Sequence, residues 1–425
     1  MGGAVVVVLA CAAGLLAFGR TAPAHRGAPG LDASPPGAVG QVDTARAAVR
    51  ARPKDAAAWS QLGLAEVEQA RTTMDGRQLT GAATAFRRSF ALRPKENYDA
   101  VAGSGMLANA RHDFGAARDL GRRATAMAPD RATGYAVLAD AYIQLGDYPA
   151  ATDAAQRLLD LAPATAGYTR AAYDLETHGR TADAAIALQR ALDTAAIPAD
   201  TAFCEHRLGD LAWDSGDVAA ANTHYRRALA ASPGDYYARI GQARTDVARG
   251  RTARALAGYA AVADRVPLPQ FLLEYAELQQ ATGHRQDAEA QLAALAGEVR
   301  LLRASGGPVD PYLALYQADH ADPAVAVALL RGEWSHRHSV LVADALGWAL
   351  HRTGRDAEAL VYARRAAATG WHSALFVYHR GAVEAALGLP RAAADLRAAL
   401  RINPHFSALH APLAVRLLER EPRAS

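Results

Sequence analysis

A chain of 425 residues with 51% hydrophobic and 21% charged side chains has the balance of a folded soluble protein, long enough for more than one compact domain or for one extended repeat array. The formal net charge of +3 excludes a strong overall attraction to nucleic acid. With two cysteines, one of them (Cys11) inside an N-terminal apolar run, neither an internal disulfide framework nor a cysteine zinc site can be built.

Residues 1–24 open the chain as a targeting segment. The stretch from Ala4 to Phe18 is uncharged and apolar, and Ala22-Pro23-Ala24 offers the small-x-small pattern of a signal peptidase site. The run is short for a full membrane span of about 20 residues, which favours a cleaved signal peptide over a retained anchor. Arg20 and Arg26 follow the run and no base precedes it. That bias points the other way, toward a cytoplasm-facing anchor. Val8-Leu9-Ala10-Cys11 has a faint likeness to a lipidation site. Export to, or display at, a bacterial cell envelope is the first reading, and membrane anchoring through residues 4–18 facing the cytoplasm is the alternative. The bacterial origin rests on arginine serving as almost every base, Lys54 and Lys95 being the lysines. Residues 25–40, rich in Pro and Gly, form a linker.

From residue 41 the chain is alanine-rich, and alanine makes up about a quarter of the whole. Alanine combines the best helix propensity with a small side chain, so helices of this composition can approach closely. Gln41 to Pro53 reads as a lone capping helix. The next copy of a repeating pattern opens with Trp59-x2-Leu62-Gly63 and closes with Ala82-x3-Phe86 and Pro94; about seven extra residues around Thr72 to Thr80 lengthen its helices or its inter-helix loop. A copy begins near Tyr98. Another carries Tyr135, Leu138, Tyr142, Gly146-Asp147-Tyr148, Ala151, Ala155 and Pro163, and one more begins near Thr165. The clearest runs from Ala202 to Pro233, with Leu208-Gly209, Ala212, Gly216-Asp217, Ala221, Tyr225 and Ala228. Gly250-Arg251, Ala255, Tyr259, Val262 and Pro267 follow, and a further copy starts near Pro269. Pro129 to Pro163 and Pro233 to Pro267 are each 34 residues apart. Within a copy, two apolar-periodic stretches flank a glycine that can end a helix in the left-handed conformation, and proline closes the second stretch.

Between Glu298 and Ser339 the pattern weakens. Ser305-Gly306-Gly307-Pro308 interrupts it, and the copy from Pro311 to Glu333 lacks the expected glycines. Residues 298–310 are read as a break or hinge between a first block, 41–297, and a second, 311–419. Good copies return near Val340, with Leu346-Gly347, Gly354-Arg355, Ala359, Ala363 and Ala366, and near Ser373. Phe406 to Glu419 is a C-terminal capping helix, and 420–425 a tail.

The period and the residues at each phase resemble the tetratricopeptide repeat family, W-x2-L-G-x2-Y, then A-x3-F, then P. The resemblance covers about residues 41–417. It implies an all-α, right-handed superhelical solenoid of about ten antiparallel helix pairs, one distorted. It also implies binding of a protein or peptide in the concave groove lined by the first helix of each pair. On that face the groove candidates are Asp140, Tyr173, Phe203, His206, Asp210, Trp213, Tyr237, Arg244, Asp344, Trp348 and Tyr378. Aromatic and arginine side chains suit a groove because they offer large contact area with few rotamers to freeze. Some members of the family hold a terminal carboxylate in a Lys-Asn clamp, and no matching pair stands on a first helix here.

Other clusters have plainer explanations. Arg87-Arg88, Arg122-Arg123, Arg226-Arg227 and Arg364-Arg365 recur at one phase of the second helices and read as a solvated stripe, with anionic lipid, cell-wall polymer or nucleic acid as the functional alternative. Eight of the 14 histidines fall between His320 and His410. His336-Arg337-His338 lacks a third ligand fixed by spacing, so no metal is expected and these read as exposed loop residues. The pair Glu274 and Glu277 stands at helical spacing and reads as solvent-facing. No P-loop, G-x-S-x-G or H-E-x-x-H occurs. No cofactor and no nucleic acid partner are expected. The reading is a non-catalytic protein-interaction scaffold. The alternatives are a receptor for a small ligand or signalling peptide, closing about Gly306-Gly307, and a hydrolase using Asp310, Asp319, His320 and Asp322.

Overall fold

The computed structural model describes residues 38–73 and 75–420. The leader, most of the 25–40 linker and the tail beyond residue 420 lie outside the described residues. Within them the protein is an all-α repeat solenoid of 22 helices. Helix α1 (Ala38–Ala51) leads. Ten antiparallel pairs follow: α2/α3 (Ala56–Thr73, Gln78–Leu92), α4/α5 (Tyr98–Ala110, Phe114–Met127), α6/α7 (Ala132–Leu145, Tyr148–Leu161), α8/α9 (Thr165–Thr177, Thr181–Asp193), α10/α11 (Pro198–Asp214, Val218–Ala231), α12/α13 (Tyr236–Ala248, Thr252–Ala263), α14/α15 (Pro269–Ala281, Arg285–Ser305), α16/α17 (Pro311–His320, Pro323–Trp334), α18/α19 (Val340–Arg352, Asp356–Ala366) and α20/α21 (Ala374–Ala386, Ala392–Ile402). Helix α22 (His410–Arg420) ends the series. No helix among the described residues is long and apolar enough to cross a membrane.

Local chemistry sets the turns. At the end of α10, Gly216 adopts a φ of 78°, which a Cβ would disfavour, and the chain reverses there. Asp217 then caps α11, its carboxylate accepting the Ala220 amide at 2.9 Å. The extra residues of the first pair lengthen α2 to 18 residues. Helix α15 runs unbroken through Glu298 to Ser305, because nothing between them stops a helix, and Gly306 with a φ of 65° ends it. The interruption therefore starts at Gly306, later than the spacing predicts. The glycine-poor pair that follows is short but regular: Asp310 caps α16 (2.7 Å to the Tyr312 amide), Asp322 caps α17 (2.9 Å to the Ala324 amide), and a proline follows each cap. The last helix begins at His410, four residues after Phe406.

Every second helix buries one alanine at the same phase: Ala82, Ala117, Ala151, Ala184, Ala221, Ala255, Ala288, Ala326, Ala359 and Ala392, none more than 1% exposed. In most pairs the residue four positions on is larger and fills the space the alanine leaves. In the α2 to α4 region it is Phe86, whose ring lies so close to Gly63 and Gly103 that a Cβ on either would fall 2.6 or 2.5 Å from it. In α11 it is Tyr225, held the same way between Gly209 and Gly241. The alanine content thus serves close helix contact, with a ring or a leucine taking up the remaining space.

The chain divides into two compact units. The first runs to Tyr142 and adds Pro149–Ala171 and Gln189–Thr201; the second holds Ile143–Tyr148, Ala172–Leu188 and everything from Ala202 onward. In the first unit Phe86, Leu79, Val101 and Val137 form the centre of the core, with Asn109 donating to the Val137 carbonyl at 3.0 Å. In the second, the largest core gathers Leu330, Leu346, Leu350, Val383 and Leu396, all shielded from solvent.

Inside the second unit, segments about 190 positions apart touch in three places. The His338 amide donates to the Leu145 carbonyl at 2.9 Å, and the buried Arg337 guanidinium donates to the Gln144 carbonyl at 3.0 Å. The Gly179 backbone meets Gly370 closely enough that a Cβ would lie 2.2 Å from the Gly370 carbonyl oxygen. Asn403 donates to the Trp213 carbonyl at 2.8 Å beside Gly216. In each case a glycine turn within one pair receives the loop that enters a later helix, α18, α20 or α22.

Candidate functional site

The even-numbered helices from α2 to α20 are the first members of their pairs, and polar bonds link successive ones. In the first unit, Arg170 grips Asp140 with two bonds of 2.9 and 2.7 Å. In the second, Arg207 pairs with Glu176 and lies 3.1 Å from Asp210, which also accepts the Tyr225 hydroxyl at 2.9 Å. Arg244 binds Glu274 through bonds of 2.8 and 2.6 Å, and the Tyr259 hydroxyl adds a third donor at 3.0 Å. Each pair joins neighbouring first helices, so these charges fix the spacing of the helices as well as colouring their face.

Asp214 stands beside this network. Burial, and then the negative charges of Glu176 and Asp210, push its carboxyl up to about 8, with Arg244 and Arg207 offsetting only part of the effect. Glu176, Asp210 and Glu274 bind the two guanidinium groups directly, and Asp214 adds a fourth carboxyl beside them.

The groove candidates divide by burial. Phe203, His206, Trp213, Asp344, Trp348 and Tyr378 are buried, while Asp140, Tyr173, Asp210, Tyr237 and Arg244 are half-buried. Phe203, His206, Tyr237 and Phe271 form a run of rings, with centroids 4.9, 5.6 and 5.2 Å apart in that order. His206 Nδ1 also sits 2.8 Å from the Asp235 carboxylate. Tyr173 meets Trp371 edge-on at 6.1 Å and carries Arg207 over its face at 5.8 Å. Tyr173 and Asp210 therefore meet through Arg207, while Tyr237 belongs to the run of rings.

A second neighbourhood forms around Trp348. Its indole stacks on His379 at 4.2 Å, and its Nε1 donates to both Asp319 oxygens at 3.0 Å. His379 Nδ1 lies 3.0 and 2.9 Å from the two Asp344 oxygens, and His410 Nε2 lies 3.4 Å from Asp319. Burial acts to lower the His410 pKa, but the Asp319 carboxylate outweighs it and the net shift is upward. Burial likewise acts to raise Asp319, and His410, Trp348 and His379 outweigh it, so its carboxyl falls below the usual range. Sequence reading assigned no position to His379 and His410. Both sit on helices and are buried; the clustering of histidines in this part of the sequence was the available signal. His336 and His338 are exposed on either side of the buried Arg337. Among the described residues no group of three or more His, Cys, Asp or Glu side chains is placed to hold a metal.

The four residues of the hydrolase alternative do not converge. Asp310 and Asp322 cap helices, Asp319 is held by Trp348, and His320 faces Glu277 at 3.5 Å. Glu277 is buried, against the solvent-facing position that its spacing suggested. The paired arginines of the second helices are all exposed.

Architecture and inter-repeat bonding together define a helical-repeat solenoid. Tetratricopeptide repeat models match residues 132–165 and 212–271, so the chain carries tetratricopeptide repeats. A sequence search of curated proteins finds no match. Among solved structures, human IFIT1 with m7Gppp-AAAA aligns with a TM-score of 0.51 at 15% identity, over 77% of this chain and 77% of that one. TTC0263, a tetratricopeptide repeat protein of Thermus thermophilus, aligns at 20% identity and a TM-score of 0.39 over 44% of this chain and 99% of its own. PilW, a type IV pilus biogenesis factor, aligns at 20% identity and a TM-score of 0.40 over 47% of this chain and 92% of its own. These likenesses are of fold.

Proposed function

We propose that the protein is a non-catalytic scaffold that holds a partner protein or peptide against its first helices, in the neighbourhood of Tyr173, Asp210, Tyr237 and Arg244. The observation that carries this reading is the crowding of carboxyl groups about Arg207 and Arg244, where Glu176, Asp210 and Glu274 bind the guanidinium groups and the recessed Asp214 is pushed up to about 8 by burial and then by Glu176 and Asp210. A lysine or arginine of a partner placed there would neutralise the surplus charge and let Asp214 ionise, while the half-buried tyrosines supply contact area. The partner segment is accordingly basic. The apolar run of residues 4–18 supports export, with the array facing outward from a bacterial cell, and fusion of the leader to a periplasm-dependent reporter tests that part.

The test of the scaffold reading is affinity capture on the full chain and on an Asp214→Asn, Tyr237→Ala variant of unchanged circular dichroism. A protein retained by the parent, lost by the variant, and then bound by the parent in purified form supports the reading. Retention by both removes this face from consideration.

A further inference from the structure

Residues of α14, α16, α18, α20 and α22 line an open cleft of about 600 Å³ in the second unit. That volume lies within the range of small-molecule sites. Its lining is both apolar and polar. Trp348 and Tyr378, the alanines Ala382, Ala385 and Ala386 of α20, and Leu413 and Leu417 of α22 make up its apolar lining. The three alanines leave room that larger side chains would fill.

The polar lining is dominated by donors. Asp319 is the one carboxylate in the lining, and its acceptor capacity is already taken. Both oxygens receive the Trp348 indole N–H at 3.0 Å, Oδ1 faces Arg352 Nε at 3.3 Å and Oδ2 faces His410 Nε2 at 3.4 Å. Arg352 spends its Nε on Asp319 and on the Ala318 carbonyl at 3.2 Å, which leaves both terminal guanidinium nitrogens unbonded among the described residues. Arg420 adds a second cation at the rim, and His351, whose Nδ1 is spent on Asp356, turns its other nitrogen to no partner among the described residues. A ligand that balances this lining must bring an anionic acceptor and an apolar body.

We infer that this cleft binds a small carboxylic acid with an aryl or short acyl body, the carboxylate lying on the Arg352 guanidinium and the body between Trp348 and the α20 alanines. A planar guanidinium with two open nitrogens matches a carboxylate by paired hydrogen bonds. The site does not depend on the scaffold reading, which rests on residues of α8 to α14.

The test is calorimetric titration of the full chain with phenylacetate and hexanoate, set beside 2-phenylethanol and phenethylamine as neutral and cationic counterparts of the aryl acid. The expected result is one molecule of acid per chain, with the alcohol and the amine at least tenfold weaker. Arg352→Gln should weaken the acids tenfold or more and leave the alcohol unchanged. Ala386→Phe fills the cleft from an exposed helix position, so the fold should survive and all binding should vanish. No heat from either acid at millimolar concentration overturns the inference. So does equal binding of acid, alcohol and amine, or acid binding that Ala386→Phe leaves intact. Capture of a protein partner at the Asp214 face is read separately and should be unchanged by Ala386→Phe.

Discussion

The backbone amide of Val340 donates to the hydroxyl oxygen of Tyr148 at 2.8 Å, joining the start of α18 to the start of α7 across 192 positions of sequence. Val340 is the first residue of its helix, and a helix leaves its first amides without internal partners. The tyrosine satisfies one of them from outside. Burial raises the Tyr148 phenol to about 12, so it remains a neutral hydroxyl throughout the physiological range. Tyr148→Phe keeps the ring and deletes the acceptor, leaving a buried amide unmatched. A loss of about 1 to 3 kcal/mol in urea unfolding is expected. A loss below about 0.5 kcal/mol would show that the contact does not hold these segments together.

The same set of contacts separates glycines that a repeat pattern treats as equal. Gly146 and Gly250 occupy the same turn of their pairs, at φ of 84° and 71°. A Cβ on Gly250 meets nothing within 4 Å, whereas one on Gly146 would stand 2.4 Å from the His338 carbonyl oxygen. Gly250→Ala should therefore cost only the left-handed strain, about 1 to 2 kcal/mol. Gly146→Ala should cost clearly more, because backbone rather than a flexible side chain must move. Equal losses in paired denaturation curves would contradict the His338 contact.

These examples also show what sequence reading could reach. The alanine and the large residue four positions on, such as Ala221 and Tyr225, are set by packing between helices adjacent in the chain, and a fixed period exposes them. The Gly-Asp turns are more local still. Tyr148 was visible as part of Gly146-Asp147-Tyr148, but nothing local names Val340 as its partner. Phe203, Trp213, Trp348 and Tyr378 were assigned to first helices, where they are, yet they are buried. Such a helix is packed along much of its surface, and a 3.6-residue period cannot say which apolar stripe meets a neighbour and which meets solvent. The histidines illustrate the remaining gap. Imidazole looks polar in sequence, and only the arrival of Asp344 beside His379 and Asp319 beside His410 makes their burial tolerable.

Asp214 gives a pH test of the charged neighbourhood. Its folded pKa of about 8 lies above its ordinary value of 3.8, so between those values the folded chain holds a proton that the unfolded chain has released. Stability contributed at this site falls as pH rises from about 4 to about 8. Asp214→Asn removes that dependence, so the variant should gain on the parent as pH rises through this window and keep a constant lead above it. Binding of a basic segment should show the matching effect. Because the cation favours ionised Asp214, affinity should increase from pH 6 to pH 9 and proton release should accompany binding. A flat pH profile would place the cation elsewhere.

His410 gives the opposite sign. It is the first residue of α22, and its contact with Asp319 ties that helix to α16. Its folded pKa lies above the ordinary 6.5, because Asp319 outweighs the burial that would lower it. The stabilisation is thus full below about pH 6.5 and is lost as pH rises through the raised value. Asp319, depressed below its ordinary 3.8, keeps its charge until the pH falls through that lower value. The tie is therefore strongest between about pH 4 and pH 6.5. His410→Gln leaves the Asp319 charge with Trp348 and Arg352 alone. It should cost about 3 to 5 kcal/mol in that window, as breaking a buried pair does, and progressively less toward pH 9. Urea unfolding of parent and variant at pH 5, 7 and 9 measures the difference directly, and limited proteolysis should cut at α22 first in the variant. A difference that stays constant with pH would mean that His410 acts by packing against Tyr378 and Trp348 and not by its charge.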